Sequence, residues 1–282
     1  MTYNPEISHH NFIDNNREVS PEAKLTGLMS SVSEKQNLEL EQRFGLSKLL
    51  DSEGRISSAD YGSVYTEQEL NEFLATLNKM EQKFSEKNSG HFSDREQWKA
   101  DKSKSKGNQT ELAITCLLYK MLGDRYLVAR TNEYDDYTNG ADNVLIDKET
   151  GVAICAFDEV YDREEERTNA EKKQLKVLEI ALAGGTDINF GVVSEEGVLK
   201  RGKQENLPIF YLGLNKEELN ELLQEMADDP NEKTDLERVV YAKLIKSIAQ
   251  QFVVLMRQNL PEKVKENLFK FKESFSKVQI PK

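Results

Sequence analysis

The amino-acid sequence predicts an α/β protein, with one mixed sheet and helices packed on its faces. Three observations carry that expectation. Short apolar runs of strand character, RYLVART (125–131), NVLID (143–147) and GVAICAF (151–157), follow one another in the middle of the chain. An apolar helical pattern, NQTELAITCLLYKML, leads into them, and a long charged helix leads out. Two more strand-like runs, INFGVV and PIFYLGL, come next, so the order is helix, three strands, helix, strand, strand.

Residues 1–35 are rich in Asn, Ser and Glu with scattered apolar residues, which predicts a disordered tail. Residues 36–106 predict a helical extension and linker. A helical patch spans Leu38 to Leu50, and TEQE then offers Thr66 as an N-cap with Glu69 as its capping-box partner. Leu70, Phe73, Leu74, Leu77 and Phe84 recur at helical spacing and mark a docking or dimerising face. From Lys87 to Lys106 the chain is polar and lysine-rich (KADKSKSK), the composition of a linker, and a domain boundary is expected there.

Residues 107–214 are the expected core. Its first helix has Asn108 as a candidate N-cap, is apolar almost all round and stops at Gly123. EYDDYTNG reads as a loop, and the charged helix runs from Arg163 to Ala183, ended by Gly184-Gly185. Residues 215–282 predict a C-terminal helical region. Asn215 with Glu218, and Thr234 with Glu237, form capping boxes, the second ahead of a long helix that packs on the core or on a second copy. Beyond Pro261 six lysines stand against three glutamates, with Phe269, Phe271 and Phe275 interleaved. That strip suits either an amphipathic partner-binding helix or a nucleic-acid contact.

Composition narrows the chemistry. The formal charge of −12 disfavours a broad nucleic-acid-coating surface but leaves room for a local basic groove. No stretch reads as a membrane span of ~20 apolar residues and the N-terminus lacks a signal-peptide layout, so no membrane partner is expected. Cys116 and Cys155 lie inside apolar runs and read as reduced, buried residues of a cytoplasmic protein. The only histidines are His9, His10 and His91, which excludes a Ser-His-Asp or Cys-His apparatus, and paired-histidine zinc, from the segment after residue 91. Any catalysis there falls to carboxylates and lysines.

The hairpin GADNVLIDKETGVAICAFDEV (140–160) carries an acid on each apolar strand. If Glu149 to Gly151 form a three-residue loop with Gly151 left-handed, Lys148 pairs with Val152 and Asp142 lies opposite Asp158. Two carboxylates so placed repel unless one is protonated or a cation lies between them. Hard divalent ions suit such oxygens. Two solvated strand ends are the alternative.

A helix bearing Glu111, a strand, a second strand with Gly140-x-Asp142 and a third ending in an acid resemble the PD-(D/E)XK (restriction-endonuclease-like) nuclease superfamily. The resemblance spans Gln109 to Leu214 and implies Asp142 and Asp158 as metal ligands, with Glu111 as the helix acid of the site. It also implies Mg²⁺ or Mn²⁺ as cofactor and hydrolysis of DNA or RNA phosphodiesters. Val160 stands where the superfamily's third-strand motif has lysine. Some members supply that lysine from the following helix, and Lys173 is the choice here, ahead of Lys172 and Lys176, although a run such as EKKQLK is more often simply a solvated face. Glu111, three residues after Asn108, also suits a capping-box acid. The CAFDEV strand is similar, too, to uncharacterised proteins of reduced-genome bacteria, which implies no function. A divalent-metal-dependent nuclease is therefore the first expectation. A catalytically inactive domain used for assembly, with a protein partner or a second copy held through its helical extensions, is the other.

Overall fold

The computed structural model describes residues 20–88, 95–162 and 167–278. In chain order its helices are α1 (Pro21–Phe44), α2 (Glu67–Asn88), α3 (Arg95–Ser103), α4 (Lys106–Leu122), α5 (Glu133–Asn139), α6 (Arg167–Ala183), α7 (Lys216–Glu225), α8 (Asp235–Met256) and α9 (Glu262–Phe275). The strands are β1 (Tyr126–Arg130), β2 (Asn143–Asp147), β3 (Ala153–Asp162), β4 (Thr186–Glu195), β5 (Val198–Leu207) and β6 (Ile209–Asn215). The first three pair as an antiparallel meander and β6 joins β3 in parallel, giving a mixed sheet in the order β1-β2-β3-β6. Cys116 on α4 and Cys155 on β3 are buried and unlinked.

Several expectations need correction. The run INFGVV does not enter that sheet: β4 pairs with β5 in a separate two-stranded sheet. The sequence of β5, VLKRGKQENL, is too polar to read as a strand alone. It forms because Glu196 and Gly197 both take positive φ (53° and 81°), the turn geometry that matches strand twist. EYDDYTNG is not loop but α5, where Asn132 caps the first turn, three acids occupy it and left-handed Gly140 ends it. These helix signals are complete, but seven residues are too few for an apolar period.

The expected disordered tail is a buried helix from Pro21 onward; residues 1–19, with His9 and His10, lie outside the described residues, as does His91. Ser20 caps α1, and Leu25, Leu28, Met29 and Val32 are buried against the same core as α4. Within the expected linker, Arg95–Ser103 form the helix α3, on which Trp98 is buried.

Both outer strands of the four-stranded sheet are closed by glutamine. Gln36 of α1 donates to the carbonyl of Val128 (2.9 Å) and accepts from its N–H (3.0 Å) on β1. Gln251 of α8 does the same to Tyr211 on β6 (2.7 and 2.8 Å). Each amide stands in for a neighbouring strand, which removes a sticky edge. Further along β1, the Arg130 N–H donates to Gly54 O and the Ile56 N–H to Arg130 O, so residues 54–56 complete that edge.

The C-terminal capping boxes form as expected at Asn215–Glu218 and Thr234–Glu237. Glu237 is also fully buried against Lys120 of α4 (2.6 Å), which pins α8 to the core. Against the expectation that no stretch reads as a membrane span, α8 is long and apolar enough by length and composition. One side of it is spent on the core through Val240, Tyr241, Leu244, Ile245 and Ile248. On α9, Phe271 is buried against Phe210 and Phe252 and stacks on Phe275, leaving Phe269 exposed; Phe271 is therefore not free to stack on bases.

Gln36→Leu and Gln251→Leu each leave a backbone N–H and C=O unpaired. Urea denaturation should show each variant destabilised by about 1–3 kcal/mol per orphaned group. A loss below about 0.5 kcal/mol in both would show that the amides do not seal the edges.

Candidate metal centre

The β2–β3 hairpin reaches the expected register as far as Asn143, by an unexpected route. The turn spans 148–152, and Ile154 is bulged out between the pairs Leu145↔Cys155 and Ile146↔Ala153. The extra residue restores Asn143 opposite Phe157, but the regular pairing ends there: the Asp142 N–H also turns to Phe157 O, so Asp142 does not take the expected place opposite Asp158. Gly151 takes the left-handed turn position, with φ 65°. Asp142 keeps backbone pairing, its N–H donating to Phe157 O (2.8 Å), and its Oδ2 accepts the Glu159 N–H (2.6 Å).

Asp142 does not gather with Asp158. Its carboxylate meets those of Glu111 and Asp136, with one oxygen of each within 4.8 Å of the others. Glu111 projects from α4, whose cap is Ser105 and not Asn108, so a capping-box role for Glu111 is removed. Asp136 comes from α5, the segment read as loop, and was missed for that reason. Asp142 and Asp158 are 8% and 4% exposed, which overturns the reading of solvated strand ends.

Cations brace two of the three acids. Arg130 Nη2 donates to Glu111 Oε2 (2.6 Å) and to Asn108 Oδ1 (2.8 Å). Arg55 lies 3.5 Å from Glu111 and 3.4 Å from Asp136, and Lys102 lies 3.5 Å from Asp136. Burial alone would lower the Arg55 pKa, but the charges of Asp136 and Glu111 raise it, so it stays a cation. Among the described residues no cation lies at ion-pair distance from Asp142. Burial first, then the charges of Glu111, Asp136, Asp158 and Glu159, push its carboxyl well above the usual carboxylate range.

Asp158 points to the other face of the sheet, where Lys173 Nζ donates to both of its oxygens (2.8 and 3.0 Å) and Lys176 Nζ to Oδ2 (3.0 Å). Lys173 thus reaches a carboxylate of the hairpin from α6, while Val160 stays on the strand. Strand alternation turns Glu159 back toward α4, where its Oε2 accepts from Asn143 Nδ2 (2.7 Å) and Asn143 also donates to Thr115 Oγ1 (2.9 Å). Burial raises the Glu159 pKa strongly, against the Asn143 hydrogen bond. The sequence signal for it was present, since one of two adjacent acids on a buried strand must face the helix layer.

The three gathered side chains offer hard oxygen donors, the kind Mg²⁺ and Mn²⁺ take. Asp136 Oδ2 is buried and accepts no hydrogen bond, its only near charges being Arg55 and Lys102 at 3.4 and 3.5 Å. The donor set fits a divalent cation. In comparison with known proteins, no protein-family model, curated protein or solved structure matches the chain.

Raised carboxyl pKa values have a signed consequence. With its carboxyl pKa raised, Asp142 binds its proton more tightly in the folded state than in the unfolded chain, where it titrates near its ordinary value of about 4. That contribution to stability is therefore present at low pH and lost as pH rises toward and through the raised value. Asp142→Asn can still accept the Glu159 N–H but does not titrate. In chelator, its melting temperature relative to wild type should climb between about pH 5 and pH 8. A difference that stays flat over that range would show that Asp142 is not strained by its charge.

Proposed function

We propose that the chain is a divalent-metal-dependent phosphodiesterase acting on DNA or RNA, with Mg²⁺ or Mn²⁺ held by Glu111, Asp136 and Asp142. The observation that supports this most is Asp142: a buried carboxylate beside two others, with no cation of its own among the described residues. An ion held there supplies Lewis-acid activation of water and neutralises charge on the phosphate. The protein side chains do the rest. Arg130, itself held by Asn108, fixes the rotamer of Glu111, and Arg55 holds Glu111 and Asp136 in one arrangement. Lys173, seated on Asp158 and partly exposed, has an ammonium N–H to offer a phosphate oxygen. Two reduced, buried thiols suit a cytoplasmic setting.

A second reading keeps the acids without an ion, as the core of an inactive assembly domain. Val160 in the third-strand lysine position, and the arginines already placed on Glu111, favour it.

Titration calorimetry with Mn²⁺ and Mg²⁺ separates the two. On the nuclease reading wild type binds and Asp142→Asn does not. Saturating Mn²⁺ should stabilise wild type by about 2.7 kcal/mol at a hundredfold excess over Kd and leave the variant unchanged. Labelled single-stranded and duplex DNA and RNA should be cut only with the ion present. Equal metal responses in both proteins would place any ion elsewhere and retire the nuclease reading.

A further inference from the structure

We infer that Asp158 is a positioning residue for Lys173 and Lys176, and that these lysines on α6 and Lys102 on α3 flank the acids as two walls contacting the phosphates of a nucleic-acid strand. This deepens the proposed function and rests on it for the strand's role as substrate.

Asp158 is buried, and both its oxygens are engaged by the two ammonium groups. It stands outside the group formed by Glu111, Asp136 and Asp142. Lys173 and Lys176 are three residues apart on one helix face. Two ammoniums on one carboxylate leave a surplus positive charge, and their side chains are 29% and 45% exposed. Each ammonium has three N–H groups, so neither is exhausted by Asp158.

Of the two, Lys176 reaches the backbone that leads into the acid centre. A Cβ on Gly140 would lie 3.0 Å from Lys176 Nζ, so the missing side chain lets that ammonium rest on the backbone two residues before Asp142. On the other side Lys102 lies 3.5 Å from Asp136, donates to the Tyr137 hydroxyl (2.9 Å) and stands 4.2 Å over the Tyr137 ring. Asp136 and Gly140 are joined by a helical hydrogen bond (3.1 Å), one turn of α5 apart, or about 6 Å along the helix axis. Neighbouring phosphates of a strand are separated by a comparable distance. A backbone crossing α5 would meet cations on both sides of the carboxylates, the local basic groove that a net-acidic chain can still carry.

Anisotropy of labelled oligo-dT and oligo-U of about 12 nucleotides, in chelator, tests this on the full chain across a salt series. Lys176→Gln and Lys102→Gln should each weaken binding about fivefold and flatten the salt slope by about 0.7. Asp158→Asn should weaken binding in the same way while its Mn²⁺ affinity stays within about twofold of wild type. Lys263→Gln, on α9, should change neither quantity. Loss of Mn²⁺ binding in Asp158→Asn, as in Asp142→Asn, would make Asp158 a ligand and overturn the inference. Unchanged salt slopes in both lysine variants, each checked for folding by circular dichroism, would leave the pairs purely structural and overturn it as well. So would a loss in Lys263→Gln equal to that in Lys176→Gln. Absence of Mn²⁺ binding by wild type counts against the proposed function alone, because the oligonucleotide measurements contain no metal.

Discussion

A one-residue register between β2 and β3 governs the chemistry of this molecule. With Asn143 opposite Phe157, Glu159 faces α4 and Asp158 faces α6. A slip by one residue would exchange the two acids between faces, set a carboxylate against apolar helix α4 and strand the lysines of α6. The register is held from several sides: the bulge at Ile154, the Asn143–Glu159 and Asn143–Thr115 hydrogen bonds, and the Glu159 N–H on Asp142. The bonds that position the acids are thus also the bonds that fix the pairing.

Around that hairpin the structure is closed by parts distant in sequence. The helices α1 and α8 carry the glutamines that finish the two sheet edges, and buried Lys120–Glu237 ties α8 to α4. An unpaired buried charge would be costly, so this ion pair leaves α4 and α8 little freedom to separate. Glu111 and Arg130 depend on this closure, since α4 and β1 are the elements it immobilises.

The acid centre is only partly neutralised by the protein. Arginines and lysines meet Glu111, Asp136 and Asp158, whereas Asp142 meets a backbone N–H. Low dielectric strengthens each of these interactions and raises the cost of the one carboxylate left without a cation. On the proposed reading, the counter-charge that Asp142 lacks is the one a bound cation would supply.

Much of this was determined by local sequence. The apolar runs produced β1, β2, β3 and β6, the capping boxes at Asn215 and Thr234 started their helices, and buried free cysteines followed from their apolar neighbours. Glu111, Asp142, Asp158 and Lys173 were all legible as candidates, because charged groups on apolar elements stand out. Which of them meet was decided by tertiary structure. Asp136 was hidden in a helix too short to show a period, and α1 in a stripe interrupted by Ser33 and Gln36, polar residues whose burial makes sense only beside their partners Met29 O and β1. Strand alternation predicts that neighbouring acids part company, but the identity of each one's partners depends on which helix covers which face, and that is set by packing across the whole chain.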